Sequence, residues 1–447
     1  MNDVLSVFGL GKLGCTMLAC FAHKGWQVIG VDINKDFVDR INAGESPIYE
    51  PGVADLIKNN KERILATTDP KTALEKSLVS FVIVPTPSLK DGSFSTEYVE
   101  KAVTVIASAM RRTEDPYRVI VITSTVLPGD MNRINQVIEN VSGKKCGVDY
   151  GLCYNPDFIA LGKVVHDFLN PDMILIGESD PKAGKIVEDI HRNLIDKRSP
   201  VHRMNWWNAE LAKITLNTYC VMKINFANMI GEICEQIPGG NARTVLTAVG
   251  DDTRIGRKYF MPGLSAAGPC FPRDLRAFAQ AVDRFDVKVP LATTIDKFND
   301  YNKTHRIPTL VMGLLREKNT DKLSVLGLTY KENTTLVEES ASITMIKILC
   351  RQNVNIKIYD PAGMDEARKA LEGSPVVTFC ETIDECLRDN EVCFIGTPWQ
   401  EFKKLTAEDF SVMKNPTILD AWNLYDFNKH DGIDYRVIGR NSKGVDA

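Results

Sequence analysis

The chain has 447 residues, too many for one ordinary hydrophobic core and enough for two or three domains. Charged residues make up 25% and hydrophobic residues 44%, the balance of a soluble globular protein, and the net charge of −4 offers nothing that attracts nucleic acid or an anionic membrane. No apolar run reaches the ~18 residues that a spanning helix needs, so neither nucleic acid nor membrane is an expected partner.

The chain opens on "MNDVLSVFGLGKLG", with an acid where a signal peptide carries positive charge, and passes straight into a strand-like pattern. No export signal is read there, and a cytoplasmic location is expected. Over the first ~195 residues short apolar runs alternate with amphipathic stretches, the pattern of a parallel sheet wrapped by helices. "VLSVFG", "VIGVD", "VSFVIVPTP", "RVIVITST", "GLCYNP" and "MILIG" read as strands. "KLGCTMLACFAHKG" and "TEYVEKAVTVIASAMRR" read as helices between them. From Asn205 a long stretch without proline follows, apolar on most faces through Trp206, Leu211, Ile214, Leu216, Tyr219, Met222, Phe226, Met229, Ile230 and Ile233, and ended by "QIPGG". Such a helix belongs between domains, at a subunit interface, or both. A second helical stretch is predicted from about Leu275 to Lys303. Beyond Asp321 the alternation resumes: "KLSVLGL", "VNIKIYD", "VVTF", "EVCFIGTP" and "TILDA" predict a second, smaller α/β domain. The two halves share a plan of strand, glycine turn, helix and a strand ending in Asp (Asp32, Asp360). The final "NSKGVDA" is expected to be loose.

Gly9-x-Gly11-x-x-Gly14 lies directly after an apolar strand and before a helix, and Asp32 closes the next strand 18 residues beyond Gly14. A lone G-x-G-x-x-G is a weak signal, but this context is the one a dinucleotide needs. Gly9 permits a tight turn, Gly11 lets the backbone approach a pyrophosphate at the positive end of the helix, and Gly14 lets helix and strand pack closely. Asp32 can accept hydrogen bonds from the adenosine ribose and would repel a 2′-phosphate, so the expected cofactor is NAD rather than NADP. Pro85, Thr86 and Thr125 follow later strands, where the crevice of such a sheet lies, although turn chemistry explains each equally well.

The eleven cysteines are scattered, with no C-x-x-C pair and no Cys/His spacing typical of zinc, so reduced thiols and no metal are expected. Cys20, Cys220 and Cys234 sit in apolar helical contexts and read as packing residues. Cys270 differs: it lies in "SAAGPCFPRD", among small residues and prolines, four residues before Asp274. Lys213 and Asn217 are four apart on the long helix and share a face. Taken alone, Lys213 reads as an ordinary helical lysine.

Together, "VFGLGKLG", "VPTPSLKDG", "STVLPG", "NPDFIALG", "AELAKITLNTY", "KINFANMIGEICE", "DDTRIGRKYF", "PGLSAAGPCFPRD" and "GLTYKENT" resemble the nucleotide-sugar 6-dehydrogenase family, in family order and over nearly the whole chain. The resemblance implies an α/β chain of two Rossmann-like doubly wound domains joined by a central long-helix segment. Residues 1–197 would be the NAD-binding domain, 198–303 a central dimerisation domain carrying the catalytic Lys, Asn and Cys, and 304–447 the nucleotide-sugar-binding domain. It implies oxidation of a sugar C6 alcohol to a carboxylate with two NAD and one water, with Cys270 as the nucleophile of a thiohemiacetal and then a thioester. Lys213 and Asn217 would stabilise the oxyanion, Asp274 would hold or activate a water, Asp157 would act as base or water-positioner, and Thr125 would help anchor that water. Gly9, Gly11, Lys12, Leu13, Gly14, Asp32, Pro85, Thr86, Thr125 and Arg273 are the implied cofactor contacts. The implied substrate contacts are Asp157, Phe158, Ile159, Lys213, Asn217, Tyr259, Phe260, Met261, Pro262, Gly263 and Lys331, with Arg254 reaching across a homodimer. UDP-glucose is the expected substrate, with GDP-mannose and UDP-N-acetylhexosamines as alternatives. A non-catalytic regulator or scaffold and a two-electron β-hydroxyacid dehydrogenase remain open as other classes.

The chain departs from the family pattern at several positions. Leu161 replaces an acid, Ala267 a glycine, and Pro269 a small residue such as serine. Thr335 and Leu336 replace two acids, Glu338 an arginine, and Trp422 the arginine of a D-x-R-N motif. The family arginine at position 338 approaches NAD, so a carboxylate there would be repelled by about 1–4 kcal/mol before salt screening. Weakened or re-routed NAD binding with intact covalent chemistry is expected.

Overall fold

The computed structural model describes residues 4–110, 116–427 and 432–441. The chain forms two compact units, the first from residues 1–215 and 280–287 and the second from 216–279 and 288–447.

The first unit holds an eight-stranded sheet of β1 (Val4–Phe8), β2 (Gln27–Val31), β3 (Ile64–Thr67), β4 (Val79–Val82), β5 (Arg118–Ile122), β6 (Tyr150–Tyr154), β7 (Ile174–Glu178) and β8 (Val201–Met204), in the order 3-2-1-4-5-6-7-8. All neighbours run parallel except β6 and β7, which pair antiparallel through Tyr154↔Gly177. The sheet is otherwise parallel, as expected, and β7 is reached through the short helix Val164–Leu169 rather than by a full crossover. Alternation along β5 sends Val119 and Val121 into one apolar core and Ile120 and Ile122 into the other, on the opposite face. A strand covered on both faces reads as an unbroken apolar run, and the sequence shows one there.

The second unit holds β9 (Lys322–Leu326), β10 (Asn355–Tyr359), β11 (Val377–Phe379), β12 (Val392–Ile395), β13 (Thr417–Asp420) and β14 (Asp434–Val437), all parallel. Their order is 11-10-9-12-13-14, so the first six strands of the chain and these six follow the same winding, two mononucleotide halves about a switch point. Leu323, Val325 and Phe394 face one core, and Leu326, Cys393 and Ile395 the other. The parallel between Asp32 and Asp360 is structural: Asp32 accepts a hydrogen bond from Leu10 N at 2.6 Å and Asp360 one from Leu328 N at 2.7 Å. Each carboxylate thus ties the second strand of its half to the turn after the first.

The long helix spans Trp206–Gln236. The second helical stretch differs from expectation. One helix starts earlier, at Phe271, with Pro272 in its first turn, where a missing N–H costs nothing, and ends at Asp283. The next begins at Pro290 and reaches Tyr301. It runs on past Lys303 through a widened turn at Asn302–Arg306 into Ile307–Glu317. The widened turn ends two residues before Pro308, which has no N–H to continue the ladder. Arg111 and Arg112 of one predicted helix, and residues 442–447 of the predicted loose end, lie outside the described residues. Among the described residues no helix is long and apolar enough to cross a membrane.

Candidate active site

In the first unit the helix Lys12–His23 begins at Gly11 with no side-chain cap, so its first N–H groups are offered by backbone alone. A Cβ on Gly11 would meet nothing within 4 Å, whereas one on Gly14 would sit 1.8 Å from Gly9 O and one on Gly9, at φ +97°, 2.4 Å from Ile83 O. Two of the glycines are therefore required by packing, and the third leaves an open cradle at a helix N-terminus. Lys12 and Leu13 are half-buried in the first turn. Asp32 is partly exposed, its second oxygen accepting from Asn34 N at 2.8 Å. These residues fit NAD: a pyrophosphate for the cradle and a ribose for the acid.

Thr86 is buried, Pro85 exposed and Thr125 half-buried, in the turns that follow β4 and β5. Sequence reasoning missed Ser124, whose hydroxyl donates to Val84 O at 2.7 Å and accepts from Val84 N at 2.8 Å, pinning these two turns together. Ile33, directly after Asp32, is an aliphatic side chain 98% exposed.

Asp157, Phe158 and Ile159 follow β6 and line a cavity of about 30 Å³ with Asn155, Asp167 and His191. Asp157 Oδ2 is buried with no hydrogen-bond partner among the described residues, and burial pushes the carboxyl up to about 7, opposed by the Lys213 ammonium. Lys213 Nζ donates to Asp157 O and stands 4.6 Å from the centre of the Phe158 ring. His191 meets Asn155 Oδ1 at 2.6 Å, and burial lowers its pKa to about 4, so the neutral ring donates to the amide oxygen.

In the second unit Cys270 is the one exposed cysteine of the eleven. Burial drives Cys15 and Cys20 up to about 12, the behaviour of inert packing thiols. Cys270 directly precedes the helix Phe271–Asp283, whose positive end favours an anion placed there. One turn on, Asp274 is 1% exposed. Asp274 accepts from Asn217 Nδ2 at 2.6 Å and from the Arg273 guanidinium at 3.2 Å. The cysteine's helix is thereby bonded to the long helix. Gly268, at φ +82°, lies against the Tyr330 ring and donates to Glu338 O at 3.1 Å, so the cysteine loop is tied to the segment carrying the family departures. Glu338 itself is exposed.

The remaining candidates lie in the same unit. Tyr259, at φ +60°, meets Phe271 edge-on at 5.7 Å, and Phe260 is buried and stacked on Phe226 at 5.9 Å. Met261 is half-buried. Pro262 packs against Gly231 and Gly439. Gly263 N donates to Asn228 Oδ1 at 2.9 Å, and Trp422 lies against Gly263. Arg254 is exposed and paired with Asp252 at 2.6 Å. Lys331 Nζ stands 5.5 Å from the Tyr330 ring centre.

A doubly wound sheet whose first helix opens on an uncapped glycine cradle, with an acid closing the second strand, defines a dinucleotide-binding α/β protein. The chain belongs to the UDP-glucose/GDP-mannose dehydrogenase family: residues 3–195 match its NAD binding domain, 207–301 its central domain and 324–427 its UDP binding domain. The UDP-glucose 6-dehydrogenase of Bacillus subtilis is 31% identical over 98% of this chain and 93% of its own length. The GDP-mannose 6-dehydrogenase of Pseudomonas aeruginosa is 35% identical over 95% of this chain and 97% of its own. The structure of a UDP-glucose dehydrogenase from Pyrobaculum islandicum superposes with a TM-score of 0.85 at 29% identity, covering 98% of both chains. The chain is thus an NAD-dependent nucleotide-sugar 6-dehydrogenase family member, and NAD is the cofactor its family and relatives indicate.

Proposed function

We propose that this chain oxidises UDP-glucose to UDP-glucuronate, with two NAD each taking up one hydride from the sugar carbon. The Cys270 thiolate adds to the C6 aldehyde left by the first oxidation, forming a thiohemiacetal. The second oxidation leaves a thioester on the same sulfur, and one water cleaves it, releasing the carboxylate and the thiol. Lys213 and Asn217 supply donors to the oxyanion in these steps. Asp157 suits the role of base or water-positioner, because burial brings its carboxyl to about 7, where it exchanges a proton near neutral pH. Asp274 contributes by holding Asn217 and a water, and Thr125 helps anchor that water. Gly9, Gly11, Lys12, Leu13, Gly14, Asp32, Pro85, Thr86, Thr125 and Arg273 hold the cofactor. Phe158, Ile159, Tyr259, Phe260, Met261, Pro262, Gly263 and Lys331 hold the nucleotide sugar.

The observation that carries this reading is the exposed Cys270 at a helix start, one turn before an Asp whose carboxylate holds Asn217. The reading includes a cytoplasmic homodimer in which Arg254 reaches the partner's substrate. It also includes a three-part division at residues 197 and 303. Support for the dimer comes from Tyr219, Phe226, Met229 and Ile233, a 38–52% exposed apolar stripe on the long helix. GDP-mannose is the second reading, favoured by the 35% identity to a GDP-mannose 6-dehydrogenase. NADH production measured across UDP-glucose, GDP-mannose and UDP-N-acetylhexosamines separates them. Activity confined to GDP-mannose would replace the first reading with the second, and none on any donor would favour a non-catalytic regulator.

A further inference from the structure

Glu210 lies on the long helix one turn before Lys213, is fully buried, and has no part in the chemistry above. Its two oxygens accept from Gly129 N at 2.7 Å and Met131 N at 2.8 Å. Those groups open the helix Asp130–Ser142, which has no side-chain cap from its own Gly129. The Asp130 carboxylate turns back to Leu127 N at 2.8 Å, leaving the helix end to Glu210. A carboxylate at a helix N-terminus satisfies orphan donors and meets the positive end of the dipole. The turn it grips, "STVLPG", carries Thr125. Trp207 lies against Gly129, and Trp206 Nε1 donates to Leu152 O at 3.0 Å, so three residues of the long helix's first turns hold the turn after β5 and strand β6.

We propose that Glu210 is a positioning residue that locks the Thr125 turn and Lys213 into one rigid arrangement, so that cofactor-side and oxyanion-side groups keep register through both oxidations. The inference rests on the dehydrogenase reading. Lys213, one turn further along, reaches Asp157 O and the Phe158 ring, so one stretch of helix ties the turn after β5 to the loop after β6. Asp130 and Arg284 are the charged groups that face Glu210, and burial raises the Glu210 carboxyl to about 7. Loss of its charge therefore falls in the physiological range.

The test compares Glu210→Gln, which keeps volume but loses the charge and one acceptor, with Glu210→Asp, which keeps the charge at shorter reach. Positioning by charge predicts kcat in the order wild type, Asp, Gln, with Gln at least tenfold down, the sugar KM within twofold and the circular dichroism unchanged. It also predicts that the wild-type kcat profile falls more steeply on the acid side of pH 7 than that of Gln, which keeps only the Asp157 ionisation. Gln equal to wild type with Asp impaired would mark Glu210 as mere filling and overturn the proposal. Should Gln not fold, Asp alone decides: a kcat at least threefold down supports the proposal and an unchanged kcat overturns it. NAD titration by protein fluorescence is independent of the substrate reading. If wild type makes no NADH from any donor, that reading fails, and a Gln dissociation constant equal to wild type then overturns the proposal, whereas one raised at least threefold sustains it.

Discussion

Asp157 holds its proton up to about pH 7 in the folded chain, while the same carboxyl in the unfolded chain titrates near 4. The folded state therefore binds that proton more tightly, and the stability this contributes is present below about pH 4 and lost as pH rises through 7. Asp157→Asn removes the ionisation, so its melting temperature should pull ahead of wild type between pH 4 and 7 and level off above. The plateau is on the order of 4 kcal/mol, or several degrees. His191, lowered to about 4 by burial, acts with the opposite sign, so the two proteins must be compared at each pH. A gap that does not change with pH would show that Asp157 is ionised throughout. The charge of Glu338 is open to the same kind of measurement. If the exposed carboxylate opposes NAD, Glu338→Arg should tighten the NAD dissociation constant about tenfold, within the 1–4 kcal/mol that Coulomb's law allows. An unchanged constant by titration would remove the charge from the account.

At the scale of elements, the glycine turn was legible because three glycines, a strand and an acid must coincide, and packing explains two of them outright. Gly11 has open space, so Gly11→Val should fold with a near-native melting temperature yet lose at least tenfold in NAD affinity. Gly14→Ala puts a methyl 1.8 Å from Gly9 O and should destabilise the first unit by several kcal/mol. An unchanged NAD dissociation constant in Gly11→Val would deny that the cradle is a ligand site. What the sequence concealed follows from burial. β3, β8 and β14 escaped notice, and each is an edge strand. "VHRM" and "DYRV" contain charged residues and lack the apolar run of a central strand. The antiparallel β6–β7 pair is likewise invisible to composition, since both strands are apolar whichever way they run. Glu210 went unnoticed because an acid on a helix reads as solvated until its backbone partners, 79 and 81 residues away, are known.

For the whole molecule, two sheets with the same winding give each unit its own nucleotide-type crevice, and the long helix supplies residues to both units. Its exposed stripe has the seven-residue spacing of Tyr219, Phe226 and Ile233, which places all three on one face. If that face is covered by a second copy, Phe226→Glu should shift the sedimentation coefficient from dimer to monomer at micromolar protein. An unchanged coefficient would place the subunit contact elsewhere.

The central claim is that one sulfur holds the sugar carbon between two oxidations. NADH counted against limiting nucleotide sugar, for wild type and Cys270→Ser, tests it most directly. The account predicts two NADH per sugar from wild type and a loss on the order of a thousandfold in Cys270→Ser turnover. One NADH per sugar from wild type, or a serine variant as fast as the parent, would contradict it.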